Sequence, residues 1–368
     1  MTKSNIHRPR AREAGLPVPG MPGPLNAITD VSGIKVGAHT LCADEPRQVR
    51  TGVTAILPRG FDREARLVWA GQHTLNGNGE MTGTHWIRDG GWFVGPILLT
   101  NSHGIGMAHH AATRWMIETY AKYWEMKHLW AMPVVAETYD GVLSDINALP
   151  LTVEHALAAI RSAEGGPVAE GNSGGGAGMI CYEFKGGTGT ASRRIEIEGE
   201  SFTIGVLVQA NHGSRPWLTL LGVPLGEKMN ENRIPDMPTE CGSIISIIAT
   251  DLPLSPGQLE RLARRATIGV GRGGSPGGNN SGDIFLAFST ANEMPLPQIS
   301  SPWRQMRTLN DELLDPVYLA AVEAVEEAII NALFAATDTL TVRPPGHVCR
   351  AIDIDRVTSL MRQMGRIR

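Results

Sequence analysis

The sequence predicts a layered α/β protein, and three observations support that class. Short apolar runs bounded by turn residues alternate with segments that have helical apolar spacing. Hydrophobic side chains make up 42% of the 368 residues and charged ones 19%, as in folded globular proteins. No βαβ repeat with a phosphate-binding fingerprint accompanies these segments. We therefore predict a sandwich of helices around mixed or antiparallel sheets, with residues 1–368 in a single domain.

Four segments have the spacing of helices. The first carries apolar side chains every three or four positions, among them Ala108, Ala112 and Trp115. Thr152 is the predicted N-cap of the second helix, and Ser255 that of the third. The predicted helices cover residues 105–126, 151–163, 256–269 and 316–336.

Strands are predicted where short apolar runs end in turn residues. These runs are residues 53–57, 94–99, 132–136, 194–198, 203–209, 244–250 and 281–288. The proline-rich residues 1–24 predict an extended arm, and residues 165–189 contain too much glycine for a regular element. Residues 225–242 lack periodicity and predict a long exposed linker.

Charge and composition exclude several classes of partner. The net charge of −4 gives no field that would attract nucleic acid or an anionic membrane. No apolar run approaches the ~20 residues that span a bilayer, and residues 1–23 lack the apolar region of a signal peptide. The four cysteines are far apart in the sequence, which favours reduced thiols. We expect a cytoplasmic protein.

The junction between Gly242 and Ser243 is the first candidate for chemistry, because an irregular segment ends there and a buried strand begins. If this peptide bond breaks, Ser243 carries a free α-amine beside its hydroxyl. The amine, with an ordinary pKa of about 7.7–8.0, can act as a general base for that hydroxyl. Glycine before the serine tolerates the distorted backbone that such a cleavage needs. An ordinary loop-to-strand junction is the alternative explanation.

A second polar pair lies at Ser281 and Asp283. Residues two apart in a strand point to the same face, so this hydroxyl and carboxylate can orient the Ser243 amine together. A simple turn before a strand is the alternative, since residues 279–282 are all turn formers.

These motifs resemble the L-aminopeptidase/D-esterase family, which includes the β-peptidyl aminopeptidases. Three stretches carry the resemblance: 242–251 (GSIISIIATD), 258–265 (QLERLARR) and 281–292 (SGDIFLAFSTAN). The opening at 20–30, GMPGPLNAITD, is also similar to the start of the family. The resemblance covers nearly the whole chain in order.

The resemblance implies a four-layer α/β/β/α sandwich that is similar to the N-terminal-nucleophile hydrolases but differs in topology. It implies self-cleavage into a large subunit, 1–242, and a small subunit, 243–368, and a homotetramer of such pairs. The implied activity releases N-terminal residues from small peptides, amino-acid amides or esters, without cofactor or metal.

Site residues follow from the same resemblance. Ser243 matches the nucleophile, Ser281 the serine that bonds its amine, and Asp283 an acidic position of the family. Asn211 matches an asparagine that donates to the oxyanion, and Tyr139 a tyrosine that lines the site. A substrate with a free ammonium also needs a carboxylate, and we assign Glu137 because it lies two residues before Tyr139. An ordinary pair at a strand end is the alternative for these two residues.

Two other functions remain open at this point. A self-cleaving acyltransferase of the ornithine acetyltransferase type would have threonine at the cleavage site, where this chain has Ser243. A non-catalytic peptide-binding protein would keep the fold and stay in one piece. No histidine or carboxylate spacing indicates a metal site. Cys241 is interpreted as a small residue beside the cleavage point, not as a redox nucleophile.

Overall fold

Two β-sheets organise the computed structural model, which describes residues 8–235 and 242–367. The strands in chain order are β1 Lys35–Ala43, β2 Val49–Leu57, β3 Arg66–Thr74, β4 Trp92–Phe93, β5 Ile97–Asn101, β6 Val134–Thr138, β7 Ile180–Cys181, β8 Phe184–Lys185, β9 Gly187–Ile197, β10 Glu200–Asn211, β11 Thr219–Leu220, β12 Val223–Pro224, β13 Ser243–Thr250, β14 Ile284–Pro295, β15 Thr339–Leu340 and β16 Val348–Cys349.

The helices lie outside the two sheets. They are α1 Thr84–Gly90, α2 Ile105–Thr119, α3 Ala121–Met126, α4 Val153–Arg161, α5 Pro256–Arg272, α6 Asp315–Ala335 and α7 Ile354–Gln363. Helices α2 and α4 pack on the sheet with the order β1-β2-β5-β6, and α5 and α6 pack on the sheet with the order β4-β3-β14-β13-β10-β9. This arrangement confirms the predicted α/β/β/α sandwich.

The inner core lies between the sheets. Side chains of the four-stranded sheet, such as Ile56 and Ala136, meet those of the six-stranded sheet, such as Leu207, Ile247 and Leu286. Strand β13 is buried along its whole length, as expected for a central strand covered on both faces. It pairs antiparallel with β10 and parallel with β14, so the six-stranded sheet is mixed.

Helix ends follow the predicted caps. The Thr152 hydroxyl accepts from the His155 N–H at 3.4 Å, and the Ser255 hydroxyl accepts from the Gln258 N–H at 3.3 Å. The predicted helix 105–126 is wrong in one respect, because it breaks at Tyr120. The Tyr120 backbone leaves helical geometry, and its buried ring packs edge-on against Trp115 at 5.8 Å.

Two irregular segments also differ from prediction. Strand β9 begins at Gly187, inside the glycine-rich stretch, because α6 crosses the strand very closely: a Cβ on Gly189 would lie 2.0 Å from the Ala328 carbonyl oxygen. The described part of the predicted linker, residues 225–235, is mostly exposed as predicted, but it contains a 3-10 helix at Gly226–Met229 and is fastened to the core by the buried Leu225, Met229 and Ile234. Residues 236–241, with Cys241, lie outside the described residues.

Sequence patterns did not predict β1 or β3. Strand β1 is half exposed and mixes polar with apolar residues, so it lacks a clear apolar run.

In residues 8–235 and 242–367, no helix is long and apolar enough to cross a membrane. That residues 1–368 form a single domain stays a prediction.

The N-terminal segment is fastened to α6 by buried charges. Glu327 is 0% exposed and accepts from Arg193 at 2.7 Å, from Arg12 at 2.9 Å and from the Asn26 amide at 2.7 Å. Arg193 is 1% exposed. Three elements that are distant in the sequence therefore meet at one carboxylate.

We expect Glu327→Ala to lower the free energy of unfolding by about 3–5 kcal/mol, because it leaves a buried arginine without its main partner. Denaturant unfolding measures this, on a chain that also carries Ser243→Ala so that it stays in one piece. The matched control is Glu118→Ala, which removes an exposed partner of Arg114 and should leave the midpoint unchanged. Equal effects of the two variants would contradict the role given to Glu327.

Candidate active site

Ser243 is the first residue of β13 and lies at the edge of the inner core between the two sheets. It is only 6% exposed. In the antiparallel pairing of β10 with β13, it stands directly opposite Asn211, the last residue of β10. Ile245 and Ile247, which share its face of the strand, belong to the inner core. The serine therefore terminates the core and faces the gap between the sheets.

Gly242 is required here for a reason that the sequence does not reveal. A Cβ at this position would lie 1.8 Å from the Asn211 carbonyl oxygen and 3.0 Å from the Cα of His212. Any other residue would push the serine away from β10. The sequence favours glycine here for its backbone freedom, whereas the structure explains it by the close approach of two backbone segments, the residues before β13 and the end of β10.

Among the described residues, one donor contacts the Ser243 hydroxyl. The Gly282 backbone N–H donates to Ser243 Oγ at 3.0 Å. Gly282 also needs the absence of a side chain, since a Cβ there would lie 2.3 Å from the Asn78 carbonyl oxygen. Sequence reasoning named its two neighbours and missed Gly282. The available signal was a glycine between two polar residues at a strand entry.

Ser281 and Asp283 do come together, although not as a same-face pair of a strand. Strand β14 begins only at Ile284, so both residues lie in the loop before it. Ser281 Oγ donates to Asp283 Oδ1 at 2.5 Å, and the Ile244 N–H donates to the same oxygen at 3.2 Å. The carboxylate thus contacts the first peptide of β13, beside Ser243.

Burial raises the pKa of Asp283, and hydrogen bonds from Ser281, the Ile244 backbone and Asn76 act in the opposite direction. Those donors all favour the ionised carboxylate. The Asp283 carboxyl group is consequently held by hydrogen bonds at the first peptide of β13, one of them from the N–H of the residue after Ser243.

Asn211 and Tyr139 are in contact through the tyrosine's backbone, not its ring. Asn211 Nδ2 donates to the Tyr139 carbonyl at 3.0 Å, while Asn211 Oδ1 accepts from the Ile180 N–H at 2.7 Å. A primary amide has two N–H donors, and among the described residues Asn211 Nδ2 has one acceptor, so one N–H is available for another. The Tyr139 side chain is 42% exposed and lies over Gly141, where a Cβ would be 2.2 Å from the phenol oxygen.

Glu137 lies near this site on β6 and is 7% exposed. Its Oε1 accepts from the Glu80 N–H at 2.9 Å. A Cβ on Gly79 would be 3.3 Å from Glu137 Oε1 and 3.4 Å from the Gly282 Cα. Gly79 therefore lies between the Glu137 carboxylate and Gly282, whose N–H donates to Ser243. Sequence spacing paired Glu137 with Tyr139, whereas the structure sets it beside Gly79, with Tyr139 beyond the end of β6.

Within the described residues, histidine, cysteine, aspartate and glutamate form no group of three that could hold a metal ion. The predicted absence of a metal and a cofactor stays a prediction.

Comparison with known proteins agrees with this geometry. The sequence pattern of peptidase family S58 matches residues 26–344. A β-peptidyl aminopeptidase (BapA) of Sphingosinicella microcystinivorans is 48% identical over 353 residues, which cover 90% of this chain and 87% of the relative. The same enzyme of Sphingosinicella xenopeptidilytica is 44% identical over 358 residues, covering 92% of this chain and 87% of the relative.

Solved structures agree as well. The L-aminopeptidase D-Ala-esterase/amidase of Ochrobactrum anthropi, described as a prototype of the serine aminopeptidases with a variant of the Ntn-hydrolase fold, is 56% identical. It superimposes with a TM-score of 0.95 over 98% of this chain and 100% of its own. A β-aminopeptidase of a Burkholderia species is 41% identical, with a TM-score of 0.87 over 97% of this chain and 99% of its own.

These matches favour the peptidase over the acyltransferase and the non-catalytic binder. Extending over nearly the whole chain and both of its sheets, they confirm the resemblance found in the sequence. The chain belongs to peptidase family S58 and is a serine aminopeptidase with a variant of the Ntn-hydrolase fold.

Proposed function

We propose that the chain cleaves its own Gly242–Ser243 bond and then uses Ser243 as an N-terminal nucleophile. The observation that carries this proposal is the position of Ser243. It begins a rigid buried strand, has glycine before it, and its hydroxyl accepts from the Gly282 N–H. The pairing of β13 with β10 holds Ser243 opposite Asn211, so we expect the serine to keep its position after the bond to Gly242 breaks.

In the proposed self-cleavage, Ser243 Oγ attacks the Gly242 carbonyl carbon. A C–O bond forms and the C–N bond breaks, so the chain passes through an ester and the serine nitrogen becomes an amine. Water then hydrolyses the ester, which leaves the Gly242 carboxylate and a free Ser243 hydroxyl. The Asp283 carboxylate, held against the Ile244 N–H at 3.2 Å, lies where it stabilises the ammonium form of that amine.

In the proposed turnover, the Ser243 amine accepts the hydroxyl proton while Oγ attacks the substrate's carbonyl carbon. The substrate's leaving amine or alcohol takes up the proton, and an acyl-enzyme ester remains. Water, deprotonated by the same amine, hydrolyses that ester. The second N–H of Asn211, opposite Ser243 in the sheet, is the donor we assign to the oxyanion, together with the Tyr139 hydroxyl.

We assign substrates with a free N-terminal ammonium: small peptides, amino-acid amides and esters. The support is Glu137, a nearly buried carboxylate separated from Gly282 only by Gly79. The names of the relatives, which include β-peptidyl aminopeptidase and D-Ala-esterase/amidase, agree with this class.

The two fragments are expected to stay together after cleavage. Strand β13 pairs with β10, and β14 pairs with β3, so the ladders of the six-stranded sheet cross the break twice. We further propose a homotetramer of these pairs, supported by apolar side chains exposed on and after α2 and α3: Ile117, Met126 and Trp130.

Intact mass under denaturing conditions should give two fragments, residues 1–242 and 243–368, the smaller beginning Ser-Ile-Ile-Ser. Ser243→Ala should give one uncleaved and inactive chain, because the hydroxyl is needed for both reactions. Native mass spectrometry of the same sample should find four copies of each fragment. A small fragment that starts elsewhere, or an Ala variant with full activity, would refute the nucleophile assignment.

Gly282→Ala should lower kcat/KM by about 10²-fold, because its new Cβ displaces the N–H that contacts Ser243 Oγ. The matched control is Gly271→Ala on α5, where a Cβ would meet nothing within 4 Å. It should keep full activity and stabilise the helix by about 0.5–1 kcal/mol. If both variants had similar kcat/KM, the Gly282 N–H would have no role in the reaction.

Acetylation of a good amide substrate should lower kcat/KM at least about tenfold, since a charge-assisted hydrogen bond of about 1.5–3 kcal/mol is lost. Glu137→Gln should slow hydrolysis of the free substrate and narrow the gap to the acetylated one. Equal rates for both substrates in the parent enzyme would argue against an aminopeptidase. If Glu137→Gln left the ratio of kcat/KM between free and acetylated substrate unchanged, another carboxylate would bind the ammonium.

A further inference from the structure

Asp140 is a buried carboxylate that neither self-cleavage nor turnover uses. It is 1% exposed, and it takes part in none of the ion pairs between the described residues. Burial raises its pKa to about 6, against hydrogen bonds from Thr51 and Asn101 and the charge of His103. A carboxylate in such surroundings is unfavourable for stability, so its presence calls for another explanation.

The Asp140 side chain is tied to the other parallel strand of its sheet. Asp140 Oδ2 accepts from Asn101 Nδ2 at 3.0 Å, at the end of β5. Asn101 is itself fixed, because it donates to Thr51 Oγ1 at 2.8 Å and accepts from the Gly104 N–H at 2.6 Å. Asn101 is therefore a rigid anchor, and among the described residues its side chain bonds the segment that follows β6 through Asp140.

The Asp140 backbone is held as well. Its carbonyl accepts from the N–H groups of Leu143 and Ser144, both at 3.0 Å. With the side chain and the carbonyl both fixed, the peptide that joins Tyr139 to Asp140 has little freedom. The oxygen of that peptide is the Tyr139 carbonyl, which accepts from Asn211 Nδ2 at 3.0 Å.

We propose that Asp140 is a positioning residue, which aims the Tyr139 carbonyl and thereby orients the Asn211 amide toward the reacting carbonyl of the substrate. The inference rests on the proposed oxyanion role of Asn211. A primary amide held at one N–H and at its oxygen presents its second N–H in one direction only. Without the anchor the 139–140 peptide can rotate, and the donor loses its preorganised direction.

The test is a double-mutant cycle on the full chain, with rates expressed per free Ser243 terminus. Asp140→Ala should lower kcat about 10- to 100-fold and change KM less than about twofold, since substrate binding is untouched. Asn211→Ala should lower kcat about 10²-fold or more. Adding Asp140→Ala to Asn211→Ala should cost no further activity, because the group it positions is gone.

Two further variants separate positioning from folding. Asp140→Asn, which keeps an acceptor for Asn101, should recover most of the lost kcat. Asn101→Asp keeps the acceptor for the Gly104 N–H but places a second carboxylate next to Asp140. It should lower kcat as Asp140→Ala does, and it tests the proposal even if Asp140→Ala fails to fold.

The matched control is Asp251→Ala. Asp251 is a partly buried carboxylate at the opposite end of β13 that accepts from the Thr203 N–H at 2.8 Å, and burial raises its pKa too. This variant should keep the parent kcat.

Two results would overturn the positioning role alone. One is additive losses of kcat in the double-mutant cycle. The other is parental kcat in both Asp140→Ala and Asn101→Asp while Asn211→Ala is impaired. Full activity of Asn211→Ala would overturn the oxyanion assignment, and the inference about Asp140 with it.

Discussion

The antiparallel register of β10 and β13 is the constraint on which the site depends. It sets Asn211 opposite Ser243, where the Cβ atoms of paired residues lie about 4.5–5.5 Å apart. Because side chains alternate along a strand, a shift by one residue would turn Ser243 away from the gap between the sheets. The apolar residues Ile245 and Ile247 fix the register, since a shift would also expel them from the inner core. The same strand register thus buries the apolar residues of β13 and turns Ser243 toward the gap between the sheets.

Glycines at the ends of these strands allow the approach that the register demands. Gly242 lies against the Asn211 backbone, and Gly282 lies against the 78–79 backbone while its N–H reaches Ser243 Oγ. A Cβ at either glycine would clash with backbone atoms, and no change of side-chain rotamer could relieve that clash. Backbone groups therefore hold the candidate side chains in place: the Gly282 N–H contacts Ser243 Oγ, the Ile244 N–H contacts Asp283, and the Tyr139 carbonyl contacts Asn211.

Charged contacts join the two parts of the chain on the far side of the six-stranded sheet. Glu327 of α6 holds Arg193 of β9 and Arg12 of the N-terminal segment. Arg8 donates to the Phe334 and Ile352 carbonyls at 2.6 and 2.7 Å. Residues before and after position 242 are therefore interlocked both by strand pairing and by this segment. A break at the Gly242–Ser243 bond is compatible with an intact fold for that reason.

The sequence by itself determined the layers and the serine. Apolar periodicity located α4, α5, α6 and the central strands, and the abrupt start of a buried strand at Ser243, together with the family resemblance, made that serine the candidate nucleophile. The motif around 281–283 placed Ser281 and Asp283 correctly next to it. Periodicity is a local property, so it can be read within a few residues of each position.

Only the tertiary structure decided how these groups meet. Asn211 faces Ser243 because of a strand register, Gly282 reaches its hydroxyl because two loops touch, and Asp140 acts through a peptide that Asn101 fixes from another strand. None of these relations leaves a periodic or compositional trace. They depend on which distant segments pair, and that choice is made by the packing of the whole chain around the space between the two sheets.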